Sequence, residues 1–124
     1  LALNHVQERK QFGKALAEFQ GLQFMLADMK IKLEASQLLT WQAAHVLETN
    51  PESLENRLHP CTAKCFATDS AMSITTDAVQ LLGGAGYIQD YQVERLMRDA
   101  KMLQIVEGAN QVQRAVIARQ LLKK

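Results

Sequence analysis

Apolar positions recur at steps of three and four along most of this chain, and that rhythm predicts helices. The clearest run begins near Glu18 and passes through Phe19, Leu22, Leu26, Met29, Leu33, Ser36, Thr40, Ala43 or Ala44, and Leu47. A second stripe through Phe24, Ile31, Leu38, Leu39 and Val46 widens the apolar arc, so this long helix should meet more than one neighbour. Thr49-Asn50-Pro51 ends it, with Asn50 placed to cap the next helical segment. The next run is equally regular: Leu54, Leu58, Cys61, Cys65, Thr68, Met72, Thr75, Val79 and Leu82. Pro60 lacks an N–H and crowds the preceding turn, which predicts a short first turn over 52–58 and a main helix opening at Pro60. Ala63, Ala67, Ser70, Ala71, Ser73 and Ala78 would let a neighbouring helix approach closely.

The ends of the chain follow the same logic. Leu3 and Val6, then Arg9 and Lys10, read as the second half of a helix with a basic C-terminus, and Gly13 as the turn after it. Gly83-Gly84-Ala85-Gly86-Tyr87 stops the helix before it. It resembles a dinucleotide-binding glycine loop only superficially, because that motif needs a preceding strand. A shorter helix over 91–103 carries Glu94 with Arg98 and Arg95 with Asp99 at helical spacing, and Leu96, Met97 and Leu103 for apolar contact. The last helix should run from about Gly108 to Leu122, with Val112, Ala115, Val116, Ala118 and Leu122 inward. Glu107 would then sit at its start, where a carboxylate meets the positive end of the helix dipole. With no credible strand, the expected fold is all-α: an antiparallel up-and-down four-helix bundle plus a short extra helix.

Composition adds limits. A chain of 124 residues with 48% hydrophobic content suits one domain with a modest core. Two prolines and six glycines leave room for long elements. A formal net charge of +1 argues against a chain built mainly to hold nucleic acid by its phosphates. No apolar run approaches the roughly 20 residues of a membrane span, and no leader marks secretion. Cys61 and Cys65, one helical turn apart, would have Cβ atoms about 5–6 Å apart. A disulfide wants about 3.5–4.5 Å, so two buried thiols are expected. His5, His45 and His59 share no ligand spacing with each other or with the cysteines, and no metal site is expected. The start at Leu1, mid-helix and without a methionine or cap, suggests a piece of something longer.

Five blocks, in order and spread over essentially the whole chain, give a strong family resemblance. They are Glu8-Arg9-Lys10-Gln11-Phe12-Gly13-Lys14, Leu26-Ala27-Asp28-Met29, Asp77 through Tyr87, Arg98-Asp99-Ala100-Lys101, and Glu107-Gly108 through Gln113-Arg114. Together they resemble the C-terminal domain of acyl-CoA dehydrogenases, most nearly the short- and medium-chain, butyryl-CoA-like members. The resemblance implies that residues 1–124 form one helical-bundle domain, the last third of an enzyme that also has an N-terminal helical domain and a middle β-domain. It further implies FAD as cofactor and an acyl-CoA thioester as substrate. Assembly would be as a homodimer or homotetramer through these bundles, and electrons would pass to electron-transferring flavoprotein. The setting would be the bacterial cytoplasm or, in a eukaryote, the mitochondrial matrix.

Residue by residue, the resemblance makes Glu107 the catalytic base that takes the α-proton while the β-hydrogen leaves as hydride to the flavin. Substrate binding would expel water from around its carboxylate and make it a stronger base. Val106 and Gly108 fall at substrate-contacting positions, with Gly108 leaving room for acyl chain and flavin. Arg9, Gln11 and Phe12 match residues that reach the FAD of a partner subunit, the arginine pairing with the pyrophosphate. Phe19 and Gln20 lie near the same dinucleotide. Gln80, Gly83 and Gly84 match a segment contacting its ADP part, and Gln111 a further contact. The chain departs from the family next to the base. Val106 stands where Tyr is usual, and Ala109 stands where Thr usually offers the cofactor a hydroxyl, a loss Asn110 could offset. Two other readings stay open beside this one: a domain that serves only for oligomerisation, and a non-catalytic helical adaptor.

Overall fold

The computed structural model describes residues 1–50, 52, 53, 56 and 58–123. Five helices carry the fold: α1 (Ala2–Glu8), α2 (Gln20–Thr49), α3 (Leu58–Leu82), α4 (Val93–Leu103) and α5 (Asn110–Leu121). The fold is the expected all-α bundle, and α3 is its centre: α1, α2, α4 and α5 all pack on it. Leu22 and Met25 near the start of α2 meet the core beside Leu81 and Leu82 at the end of α3. Further along α2, Lys32 Nζ donates to Ser73 Oγ at 2.8 Å. These pairings run in opposite senses, so α2 and α3 are antiparallel.

The core sits at the α1 end. Ala2, Val6, Leu81, Leu82 and Val93 are buried there, backed by Leu16, Met25, Leu26, Met29 and Val79. Val6 is fully buried, which is worth about 1.5–3 kcal/mol relative to exposure. Leu3 is exposed, and Ala2 takes the inward place one turn before Val6. On α4 the buried pair is Val93 and Ala100, while Leu96 and Leu103 lie outward. Arg98 pairs with Glu94 at 2.7 Å as expected, but Arg95 and Asp99 form no ion pair among the described residues.

The remaining departures are local. A two-stranded ladder, β1 (Lys10–Gln11) with β2 (Lys14–Ala15), was not expected. Phe12 and Gly13 turn it with φ of 53° and 84°, the two left-handed residues of a tight hairpin. A 3-10 turn over Leu16–Glu18 then precedes α2, which starts at Gln20 rather than Glu18. Asn50 closes α2, its N–H on the Val46 carbonyl, and its own carbonyl accepts from Asn56 Nδ2 at 3.0 Å. Pro51 and Leu54 lie outside the described residues, as does much of the short turn expected over 52–58. α3 opens two residues before Pro60; a proline in a first turn removes an N–H that would have had no helical partner. Cys61 and Cys65 remain thiols, but only Cys65 is buried, and burial pushes its thiol up.

The largest correction concerns α5. Val112, Ala115, Val116, Ala118 and Leu122, all expected inward, are exposed, with Leu122 at 81%. The inward edge is Asn110, Gln113, Ile117 and Gln120. Periodicity correctly marks an apolar face, but not which surface covers it; this helix is tied to α3 by polar bonds, Lys64 donating to Asn110 and both Asn110 and Arg114 donating to Asp69. The second stripe of α2 behaves alike: Phe24, Ile31 and Leu38 are exposed, with Trp41 beside them. No helix among the described residues is long and apolar enough to cross a membrane.

Candidate active site

The residues singled out by sequence fall into two groups at opposite ends of α3. Lys64 touches one group and Gln80 belongs to the other, so about 24 Å of helix separates them.

The first group surrounds Glu107. α4 ends at Leu103, and α5 does not begin until Asn110, so Glu107 lies in a loop ahead of the helix and not in its first turn. Its φ is 53°, followed by Gly108 at 87°. A left-handed non-glycine residue costs roughly 1–2 kcal/mol, so something must hold it. Gln113 Nε2, from the first turn of α5, donates to the Glu107 carbonyl at 3.1 Å and the Gly108 carbonyl at 3.4 Å. Lys64 Nζ reaches the Gly108 carbonyl at 2.9 Å from α3. A Cβ on Gly108 would stand 2.6 Å from Gln113 Nε2, so glycine here serves both the backbone angle and this close approach. The Glu107 carboxylate itself is exposed and makes no hydrogen bond or ion pair with the described residues. Ile105 and Val106 flank it, also exposed.

Beneath the loop lies a polar cluster that sequence reasoning did not find. Asn110 is 2% exposed. Its Nδ2 donates to Asp69 Oδ1 at 2.7 Å and Thr68 Oγ1 at 2.8 Å, and its Oδ1 accepts from Lys64 Nζ at 2.6 Å. Gln104 Nε2 also donates to Asp69 Oδ1, at 2.6 Å, and Arg114 pairs with Oδ2. Burial pushes the Asp69 carboxyl up, but hydrogen bonds from Arg114, Gln104 and Asn110 outweigh it and hold it below the usual carboxylate range. Asn110 therefore cannot offset the hydroxyl missing at Ala109, because its amide is spent inward. The available signal was Asp69 itself, a charge beside Thr68 on the buried stripe of α3. Gln111 is near this end, lining a small polar cleft with Gln104 and Arg114.

The second group gathers around the hairpin. Arg9, Gln11, Gln80, Gly83 and Gly84 line one cleft of about 330 Å³. A guanidinium, two amides and bare glycine backbone with nothing within 4 Å of either Cβ position suit an anionic, phosphate-bearing ligand. An adjoining apolar hollow is lined by Phe12, Phe19, Leu16, Gly21 and Leu22. The two rings meet edge to face at 6.3 Å, and Lys14 Nζ sits 4.2 Å from the Phe19 ring centre. Phe12 is 92% exposed. Gln20 opens α2 nearby but lines neither hollow.

With both sites in view, comparison with known proteins places the chain. The family described as acyl-CoA dehydrogenase, C-terminal domain, matches residues 1–122. The chain belongs to that family. A probable acyl-CoA dehydrogenase of Mycobacterium tuberculosis is 52% identical over 122 residues, 98% of this chain and 31% of the relative. Cyclohexane-1-carbonyl-CoA dehydrogenase of Geobacter metallireducens is 50% identical over the same shares. Butyryl-CoA dehydrogenase of Megasphaera elsdenii superposes with a TM-score of 0.91 at 43% identity, over 98% of this chain and 31% of that one. The chain thus spans about 31% of the length of these relatives.

Proposed function

We propose that this chain is the C-terminal helical domain of a longer FAD-dependent acyl-CoA dehydrogenase, and that Glu107 is its base. The observation that carries this reading is the geometry of the Glu107 loop. A carboxylate-bearing residue is held in a strained backbone conformation from two helices, while its carboxylate is left exposed. Strain of that kind is characteristic of functional positions. In the reaction, Glu107 takes the α-proton of an acyl-CoA thioester, and the β-hydrogen leaves as hydride, giving the 2-enoyl-CoA. FAD, when bound, supplies the hydride acceptor. Exposed Ile105 and Val106 offer the acyl chain an apolar wall, and Gly108 adds no side chain beside it.

The hairpin cleft would serve a different flavin. Arg9, Gln11, Gln80, Gly83 and Gly84 would hold the diphosphate and ADP part of a partner subunit's FAD, with Phe12, Phe19 and Gln20 beside it; Gln111 would contact the flavin on the Glu107 side. The separation of about 24 Å along α3 supports two sites rather than one. The uncovered apolar faces of α2 and α5 support a homodimer or homotetramer, and favour a structural role in assembly alongside catalysis. Electron-transferring flavoprotein would take the electrons, in the cytoplasm of a bacterium or the mitochondrial matrix of a eukaryote. Relatives named for butyryl- and cyclohexane-carbonyl-CoA support a short or ring-bearing acyl group as the proposed substrate class.

The test is the full-length protein. It should purify yellow and bleach anaerobically with butyryl-CoA or cyclohexane-carbonyl-CoA; a colourless protein, or one neither thioester bleaches, overturns the reading. The 124-residue chain alone should fold and self-associate without dehydrogenase activity. Stoichiometric FAD binding with reduction by acyl-CoA would contradict the division of the site between domains and subunits.

A further inference from the structure

The loop that carries Glu107 has two feet, Gln104 and Asn110, and one oxygen gathers both. Gln104 Nε2 and Asn110 Nδ2 donate to the same Asp69 Oδ1, at 2.6 and 2.7 Å. The feet are also tied to each other, the Asn110 N–H donating to the Gln104 carbonyl at 3.0 Å. A closed ring results, with Asp69 on the rigid middle of α3 as its anchor and Glu107 at its far side. Both donors are side-chain amides and the acceptor is a carboxylate, so these are charge-assisted bonds of the stronger kind.

We propose that Asp69 is the positioning residue for Glu107, setting the height and angle at which the base meets the substrate α-carbon. This rests on the reading of Glu107 as base. Asp69 touches no reacting atom, and it acts by fixing both ends of the loop at one point. A charged acceptor is required there. Asn in its place turns an NH₂ either toward the two amide donors or toward Arg114, and each orientation sets donor against donor.

The test uses the full-length flavoprotein with butyryl-CoA and a dye acceptor. Asp69→Asn should lower kcat on the order of a hundredfold, as a base displaced by about 1 Å does, with KM changed less than about threefold. Flavin content and assembly should be unchanged. In a Glu107→Gln background the same substitution should lower the residual rate no further, because the residue it positions is already disabled. Gln104→Met releases one foot only, and should cost about tenfold with the same non-additivity. It decides the matter should Asp69→Asn shed its flavin. Unchanged kcat in Gln104→Met together with normal or uninterpretable Asp69→Asn overturns the proposal, as does an equal further loss on top of Glu107→Gln. Those results leave Glu107 standing as base if Glu107→Gln is itself inactive. Near-normal turnover in Glu107→Gln overturns the base assignment, and the proposal with it.

Discussion

Two corners of this domain share a pair of positive φ values and differ in how they are held. Phe12-Gly13 and Glu107-Gly108 each place a non-glycine residue at φ 53° and a glycine just past 80°. At Phe12 the turn is closed by the pairing of Lys10 with Ala15 and Gln11 with Lys14, and a Cβ on Gly13 would meet nothing within 4 Å. At Glu107 no ladder exists. The backbone is held by side chains, from Lys64 on α3 and Gln113 on α5, above a buried amide. The Glu107 corner is tied to two helices, a rigidity that the proposed role as base calls for.

Glycine replacements break the comparison most sharply. Gly13→Ala meets only the left-handed backbone cost, about 1 kcal/mol. Gly108→Ala adds displacement of the Gln113 amide and its bonds, for a total of about 2–3 kcal/mol. Urea unfolding of the 124-residue chain compares them directly, and equal losses would mean the two corners are held alike. Ala109 sharpens the picture in the opposite direction. It occupies the N-cap of α5 with no side-chain hydrogen bond, so Ala109→Thr should raise stability by about 0.5–1 kcal/mol. A null result in the same unfolding series would show that the Asn110 cluster already fixes that helix end.

The smallest effect is on acid stability. The folded-state value of Asp69 is depressed, so the unfolded chain binds more protons between that value and the ordinary carboxylate value of about 3.9. Its contribution is therefore complete above about pH 4–5 and is lost as pH falls through the depressed value. The carboxylate is part-exposed, and screening keeps the effect modest. Asp69→Asn should flatten the dependence of the urea midpoint on pH below about 4; a slope equal to that of the parent chain would place the acid-sensitive group elsewhere.

How much of this was legible in the residues depends on what signal each feature leaves. The long helices were, because steps of three and four persist over dozens of positions. The Phe12 turn was half legible: Gly13 announced a turn, but a two-residue ladder is too short to leave an alternating pattern. Glu107 could be singled out only with its family blocks, since a glutamate before a glycine is commonplace. The direction of α5 was misread because its apolar stripe points away from this chain, and its inward edge is amide-rich. Lys64, Asp69 and Gln113 left no periodic trace. Their roles arise from bonds between residues more than 40 positions apart, or from a side chain folding back onto its own loop.

The most direct measurement is anaerobic flavin bleaching by butyryl-CoA in full-length Glu107→Gln, followed in a single turnover. The protein should keep its flavin and its yellow colour, bind the thioester, and bleach at least about a thousandfold more slowly than the parent, a loss of roughly 4 kcal/mol in transition-state stabilisation. Bleaching at a rate within a few-fold of the parent would contradict Glu107 as the base and leave its strained, tethered corner without a catalytic role.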